Sequence, residues 1–482
     1  MSVNRPLGAT PQTGAFELTL PARTRVAVAR SHAGLFALGG LVSLTVLICV
    51  AASRTFALLP ATVRVTTLPS HLLPFGLGGL FGNLSLHLPA GVLMPVLALL
   101  FGCYVVVVKN AERLSPRTVL AAIAALIAIV LIAPPLMSMD VFSYEAYARM
   151  FVTYGANPYV HGPFGPLSLD PLYSYIGAHW VETPTVYGPV FTILSTFLDK
   201  LTLGVYTCLH PVPSAACQRA IAQSTFAYKG IAAVAALVTV ATLWHAAKLR
   251  GLNQVRAVAV FGLNPLVIIY GVGGGHNDLL MIMFTTLGVY ALLARRERAT
   301  GAMIAVGAAI KLTGALLLPF ALAAGTGLGA ERRRRSIVIG AAITSVVFAL
   351  AGFGYFGIAQ VNMVLTLQHI QSAGDTSSIP GFLSVVLRLD VVGHVVGLVL
   401  GLVFLAVCGW LLRRVWRGQM DWIDGAGWAT VVMLVTASAM LPWYVAWLMP
   451  LVALCTSRRL WSTALWFTGA VQLITMVSYF PH

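Results

Sequence analysis

The chain has 482 residues, of which 59% are hydrophobic and only 9% charged, and its mean hydropathy is +0.88. That balance excludes ordinary soluble domains and requires a polytopic membrane protein; the alternating ten-residue pattern of a barrel is absent, so helices must satisfy the backbone in lipid. The formal charge of +16 would suit nucleic acid only if the basic residues formed one face or tail, but Arg and Lys sit in short loops between apolar runs, the positive-inside pattern.

The first ~30 residues, polar and carrying Arg5, Arg23, Arg25 and Arg30, show no small-residue cleavage pattern and read as a cytoplasmic tail (1–31). Apolar runs at 33–52 and 90–108 predict two N-terminal membrane helices (32–118), separated by a Pro- and Gly-punctuated stretch from 54 to 89. A third run, 119–137, opens the main domain (119–482) and delivers Asp140 to the outer surface. The outer loop 138–224 is too polar to cross. Within it Phe142, Ala146 and Met150 recur at i, i+4, i+8, which predicts a short amphipathic helix lying along the interface, and 187–200 predicts a second. Runs at 227–245, 257–270 and 279–293 then cross in turn, with an outer turn from Gly273 to Asp278.

The run 301–325 is long enough to cross once, yet Lys311 interrupts it. If it is a re-entrant pair of half-helices, 22 of the 30 Lys and Arg fall inside and 7 outside; a single crossing would place 14 inside and 15 outside. Charge therefore favours the re-entrant pair. Helices at 336–356, an outer region 357–390, and helices at 391–412, 425–441 and 445–455 follow, and a last helix leaves the C-terminus outside. The expectation is an all-α fold of about 11–13 membrane helices with outer-face interfacial helices.

On this topology 8 of the 14 acidic residues lie outside, so acid–base chemistry belongs on that face. Asp140 has two readings: N-cap of the helix that follows it, or catalytic base. Glu145 and Arg149 stand i, i+4, as an ion pair would, while Arg149 is also placed to reach a lipid phosphate. Lys311, flanked by long apolar stretches, is costly unless it faces a cavity, which suits an anionic headgroup. His276, Asn277 and Asp278 close a glycine turn at the outer mouth, suited to sugar or phosphate contact or simply to turning; His369 and Gln371 are weaker candidates. Cys208 and Cys217 share an outer loop and could be joined by a disulfide. No His or Cys spacing indicates a metal, and no Gly-rich fingerprint or soluble α/β domain exists to hold a nucleotide, so a donor would arrive through the membrane without a cofactor.

These residues lie in segments that resemble the GT-C glycosyltransferases, in particular the actinobacterial polyprenol-phosphate-mannose-dependent α-1,6-mannosyltransferases. The resemblance rests on Asp140-Val-Phe-Ser-Tyr144, Gly155-Ala-Asn-Pro-Tyr159, His161-Gly-Pro163 and Thr183-Pro-Thr-Val-Tyr187-Gly-Pro189. It continues through Gly274-Gly-His-Asn-Asp278, Ala309-Ile-Lys-Leu-Thr313 and Pro442-Trp-Tyr444. It implies an outward-facing site in the cell membrane, Asp140 as general base, and Lys311 near the donor phosphate with His276 or Arg149 assisting. Beside the resemblance, Tyr187, Trp180 and Trp443 read as flat walls for sugar rings or as interface-belt aromatics, Tyr144, Asn277 and Asp278 are candidate sugar or acceptor contacts, and so are His369 and Gln371, whose segment matches the family poorly. The partners implied are a polyprenyl-phosphate sugar and a glycan or glycolipid acceptor. The alternatives are another lipid-linked sugar, or a transporter or flippase for one; the sizeable outer region after Asp140 and the absence of acids in mid-helix favour the enzyme.

Overall fold

The computed structural model describes residues 22–52, 55, 58, 81, 86–203, 215–325, 329–373, 390–437 and 440–478. All regular structure among them is helical. Among the described residues, five helices are long and apolar enough to cross a membrane, or six if the bent pair Gln254–Gly262 and Leu266–Val272 is one span, and five further apolar helices have 10–17 residues. The protein is thus a multi-span helical membrane protein. Several of its core helices are too short to cross alone, so a count by length understates how often the chain reverses.

Helices α1 (Ala22–Ala52) and α2 (Ala90–Asn110) pack together beside α3 (Pro116–Leu131). Next come α4 (Asp140–Tyr154), α5 (Pro189–Thr202) and α6 (Ala215–Leu249). The sequence reading placed 215–224 in the outer loop, but α6 runs through it and buries Ser224 and Thr225. α7 (Gln254–Gly262) bends by 48° into a π-helix, Leu266–Val272, where the sequence suggested one straight helix. Pro265 and the Asn264 side chain, which accepts the Leu266 N–H, make that break.

α8 (Asp278–Leu293) and α9 (Glu297–Ile310) form an antiparallel pair. At Lys311 the backbone becomes extended, and the chain folds back through a 3-10 turn, Leu312–Leu316, into α10 (Leu317–Ala323). A Cβ on Gly314 would lie 2.9 Å from the Gly307 carbonyl carbon, seven residues earlier, so the run 301–325 is a hairpin with Lys311 at its tip. α11 (Ala330–Phe356) leads through a short turn into α12 (Asn362–Ala373). The chain ends with α13 (Asp390–Trp416), α14 (Trp422–Thr436), a 3-10 turn Pro442–Trp447 with α15 (Met449–Leu454), and α16 (Arg458–Ser478). The predicted crossing at 445–455 is therefore a turn and a six-residue helix.

α11 and α13 expose rows of Val, Leu, Ile and Phe, including Ile343, Leu350, Leu398 and Leu405, as faces bathed in hydrocarbon do. The inner helices instead bury small residues and threonines against one another.

α4 departs most from the sequence reading. Residues 141–150 are all buried, so this stretch has no exposed polar face of the kind an amphipathic surface helix keeps. α5 does keep two faces: Phe197 and Leu201 are exposed, while Asp199 turns inward beside α4 and α6.

Candidate functional site

The segment leaving α3 contains Pro134-Pro135 and cannot continue the helix. Leu136 N–H donates to Gly273 O (3.0 Å), which joins this segment to the glycine turn before α8. From the far side, the buried Lys229 of α6 donates to the carbonyls of Ala133 (2.5 Å) and Pro134 (3.1 Å). Its side chain also packs against Gly275. Lys229, which the sequence reading passed over inside an apolar run, thus supports both segments that carry polar residues of the site.

Asp140 is the first residue of α4 and not its cap. The cap position is Met139, which makes no side-chain cap bond, and Ser138 Oγ accepts the Asp140 N–H at 3.1 Å. The Asp140 carboxylate therefore has no capping duty, and its side chain is 13% exposed. Burial pushes its carboxyl up to about 7; the nearby Asp278 charge adds to the rise, while Lys311 and Ser138 oppose it.

His276 Nδ1 lies 3.5 Å from Asp140 Oδ2 and 3.8 Å from Asp278 Oδ2. Its ring stacks on Trp443, with centroids 4.0 Å apart. Neither ring nitrogen has a hydrogen-bond partner among the described residues. Burial holds the imidazole down at about 3, with Lys311 acting the same way and Asp278 opposing, so it is neutral at physiological pH. A buried, unpartnered donor and acceptor between two carboxylates is the arrangement of a group that waits for substrate or water.

Lys311 Nζ donates to Asp278 Oδ1 at 2.7 Å. The same oxygen accepts the Trp447 indole N–H at 2.6 Å. The ammonium also lies 4.7 Å from the Tyr444 ring centre and 5.1 Å from that of Trp447, two rings that stack on each other. The lysine is 15% exposed, and two of its three donors are not used by Asp278. Asp278 Oδ1 is thus held by Lys311 and Trp447, while its Oδ2 is buried without a hydrogen-bond partner among the described residues. Trp447 was missed in the sequence; Tyr444 and Trp447 stand i, i+3 in a 3-10 turn, a spacing that eclipses side chains and could have revealed them as a pair.

The loop Thr183–Pro189 meets the hairpin tip. Gly188 N–H donates to Ile310 O at 3.0 Å, and a Cβ there would lie 2.1 Å from Ala309 O, so only glycine permits the approach. Tyr187 is buried edge-on to Tyr144 at 5.0 Å, and Tyr144 OH donates to Asn277 Oδ1 at 3.3 Å. Trp180 is half-buried; its ring and the Met139 side chain both border Gly177, which places it near the head of α4. The structure thus brings together Asp140, Tyr144, Tyr187, His276, Asn277, Asp278, Lys311 and Trp443.

Arg149 is not among them. It is fully buried and ion-paired with Asp170 (2.5 Å), which also accepts Tyr154 OH. The expected Glu145 pairing is replaced: Glu145 Oε1 accepts Thr225 Oγ1 at 2.8 Å. Burial of α4 on all sides carries Arg149 away from any lipid phosphate at the surface. His369 is exposed on α12, an element that packs on the preceding turn, and the Gln371 side chain lies outside the described residues. Cys217 is buried and disulfide-bonded, while Cys208 lies outside the described residues. No three His, Cys, Asp or Glu side chains among the described residues converge as metal ligands would.

Residues 37–327 match the family described as α-(1→6)-mannopyranosyltransferase, N-terminal domain, and residues 374–479 match the MptB C-terminal domain. The chain belongs to the α-(1→6)-mannopyranosyltransferase family. It is 26% identical over 363 residues to α-(1→6)-mannopyranosyltransferase A of Mycobacterium tuberculosis, covering 69% of this chain and 65% of that protein. It is 27% identical to the A enzyme of Corynebacterium glutamicum (68% of this chain, 69% of that one). With the B enzyme of the same organism it shares 24% (73% and 60%). The matches therefore span about two thirds of the length of these curated relatives. The first family match contains Asp140, His276, Asp278 and Lys311, and the second contains Trp443 and Trp447.

Proposed function

We propose that this protein transfers mannose from a polyprenyl-phosphate donor to a hydroxyl of a growing cell-envelope mannan or lipoglycan, forming an α-1,6 linkage with inversion at the outer face of the membrane. One observation carries the reading. A partly exposed carboxyl held near neutral pKa, Asp140, shares one cluster with an unpartnered neutral histidine and a lysine at the tip of a membrane hairpin. The family membership and the names of the relatives supply the sugar and the linkage.

The acceptor oxygen attacks the anomeric carbon of a β-linked mannosyl phosphate, and the new C–O bond forms as the bond to phosphate oxygen breaks. The acceptor proton passes to Asp140, whose raised pKa makes it a stronger base than an ordinary carboxylate and keeps it half ionised near pH 7. The electron pair leaves with the polyprenyl phosphate, and the two remaining Lys311 donors stabilise its growing charge. His276 donates to the same phosphate or orients Asp140 through Nδ1. Trp443, under the imidazole, and Tyr187 offer flat walls for sugar rings.

Asp140→Asn tests the reading. The amide keeps the shape, and no helix cap is lost because Asp140 caps nothing. Transfer of labelled mannose from the lipid donor is expected to fall by roughly 100- to 10,000-fold, the usual contribution of a general base. A variant turning over at near wild-type rate would exclude Asp140 as the base. A flippase reading makes the opposite demand: lipid-linked sugar would cross vesicle membranes without forming any new glycosidic bond.

A further inference from the structure

At the end of α9 remote from Lys311 lies a cavity of about 500 Å³ lined by Arg296, Glu297, Arg298, Arg332, Arg333 and Ser336. Fourteen residues of helix separate it from the hairpin tip, roughly 20 Å at the helical rise, so it is distinct from the Asp140 cluster. Its arginines come from two elements, the starts of α9 and α11, and four of them line it together with one glutamate.

The two helices are held close beside this cavity. They cross at glycines: a Cβ on Gly301 would lie 1.9 Å from Ile337 O, and one on Gly340 2.0 Å from Arg298 O. Neither helix start has a side-chain cap, and each carries one acidic residue in its first turn, Glu297 and Glu331, so the four arginines outnumber the acids there by two. The neighbouring Arg334 does not line the cavity; it donates to Leu322 O and Gly325 O and lies over the Trp416 ring. A charge bias that only orients the protein in the membrane needs basic residues on one side; it does not need four of them around one cavity.

We propose that this cavity binds a phosphate group, and that in the membrane the phosphate belongs to an anionic phospholipid. Guanidinium forks match phosphate oxygens bidentately. Lipid is favoured over free phosphate because the cavity opens at the head of the apolar stretch Ala330–Ile370. The exposed Val338, Ile343, Val346 and Val347 of α11 continue from it as a path for acyl chains.

Native mass spectrometry of the purified full chain, offered phosphatidylglycerol and phosphatidylcholine of equal chain length, tests this directly. Wild type is expected to prefer the anionic lipid by about twenty-five-fold, taking roughly fivefold for each of two arginines. Arg332→Gln/Arg333→Gln should lose that preference and keep mannosyl transfer, whereas Arg413→Gln/Arg414→Gln on α13 should keep both. Thermal shift with inorganic phosphate and with glycerol 3-phosphate separates the sources: stabilisation by lipid alone supports the phospholipid, and equal stabilisation by either small anion makes free phosphate the ligand. Equal retention of the two lipids by wild type, with no shift from either anion, overturns the proposal without reference to any variant. Undiminished preference in the Arg332/Arg333 double variant overturns this cavity as the place.

Discussion

Arg149–Asp170 and Lys311–Asp278 are both ion pairs buried between helices, yet they serve different ends. In the first, both side chains are essentially inaccessible, at 0% and 1% exposure, and a tyrosine hydroxyl shares the carboxylate. In the second, Asp278 is sealed, but Lys311 stays 15% exposed at a hairpin tip, with aromatic faces beside it and an unpartnered histidine nearby. A closed pair holds helices together. An open one keeps a charge available to something that is not part of the protein.

Asp140→Asn, with the largest expected loss, tests whether the open cluster is chemical at all. Next in size, Arg149→Met should cost about 3–5 kcal/mol by leaving Asp170 buried and uncompensated. Thermal unfolding in detergent would measure it, and Arg149→Met/Asp170→Leu should recover most of the loss, because a closed pair can be replaced by apolar packing. The open pair should not behave that way. Lys311→Met/Asp278→Asn should fold but raise the apparent KM for the lipid donor by about tenfold or more, with a smaller effect on the acceptor, as expected for one lost charge-assisted contact. Equal changes for both substrates would place Lys311 outside the donor site. Smallest of all, Trp447→Phe keeps the ring and removes only the N–H to Asp278; a two- to tenfold loss in donor use is expected from one hydrogen bond of about 0.5–1.5 kcal/mol.

Asp140 also predicts a pH dependence whose two parts have opposite senses. Under the proposed mechanism Asp140 works when ionised, so kcat/KM should rise through a midpoint near 7. Because its pKa is raised on folding, the native state holds the proton more tightly than the unfolded chain. Stability from this group is therefore full below about pH 4, the unfolded carboxylate range, and is lost as pH rises to about 7. Asp140→Asn should consequently be more stable than wild type at pH 8 and inactive there. Loss of both stability and activity would show a structural role instead. His276, held at about 3, should add no limb of its own between pH 5 and 8.

Much of the open cluster was legible in the sequence. Asp140, His276, Asp278 and Lys311 each interrupt or terminate an apolar run, and a polar residue at such a place is conspicuous because its burial must be compensated. Their partners were not legible. Arg149 is four residues from Glu145 but pairs with Asp170, 21 residues on; Lys311 meets Asp278 across 33 residues and Trp447 contacts it across 169. Helical periodicity reports only neighbours within one or two turns. The burial of α4 escaped for the same reason: its composition is that of an interfacial helix, and only its packing against α5 and α6 removes the water from its polar side.

Hydropathy and the placement of charge by themselves determined a helical membrane protein, a reversal at Lys311 and three of the polar residues gathered beside it, since each follows from the cost of putting a given stretch of chain into lipid. Tertiary structure decided which charge is satisfied and which is left available. That choice depends on distances between segments remote in sequence, and on whether neighbouring helices admit water to the pair they enclose.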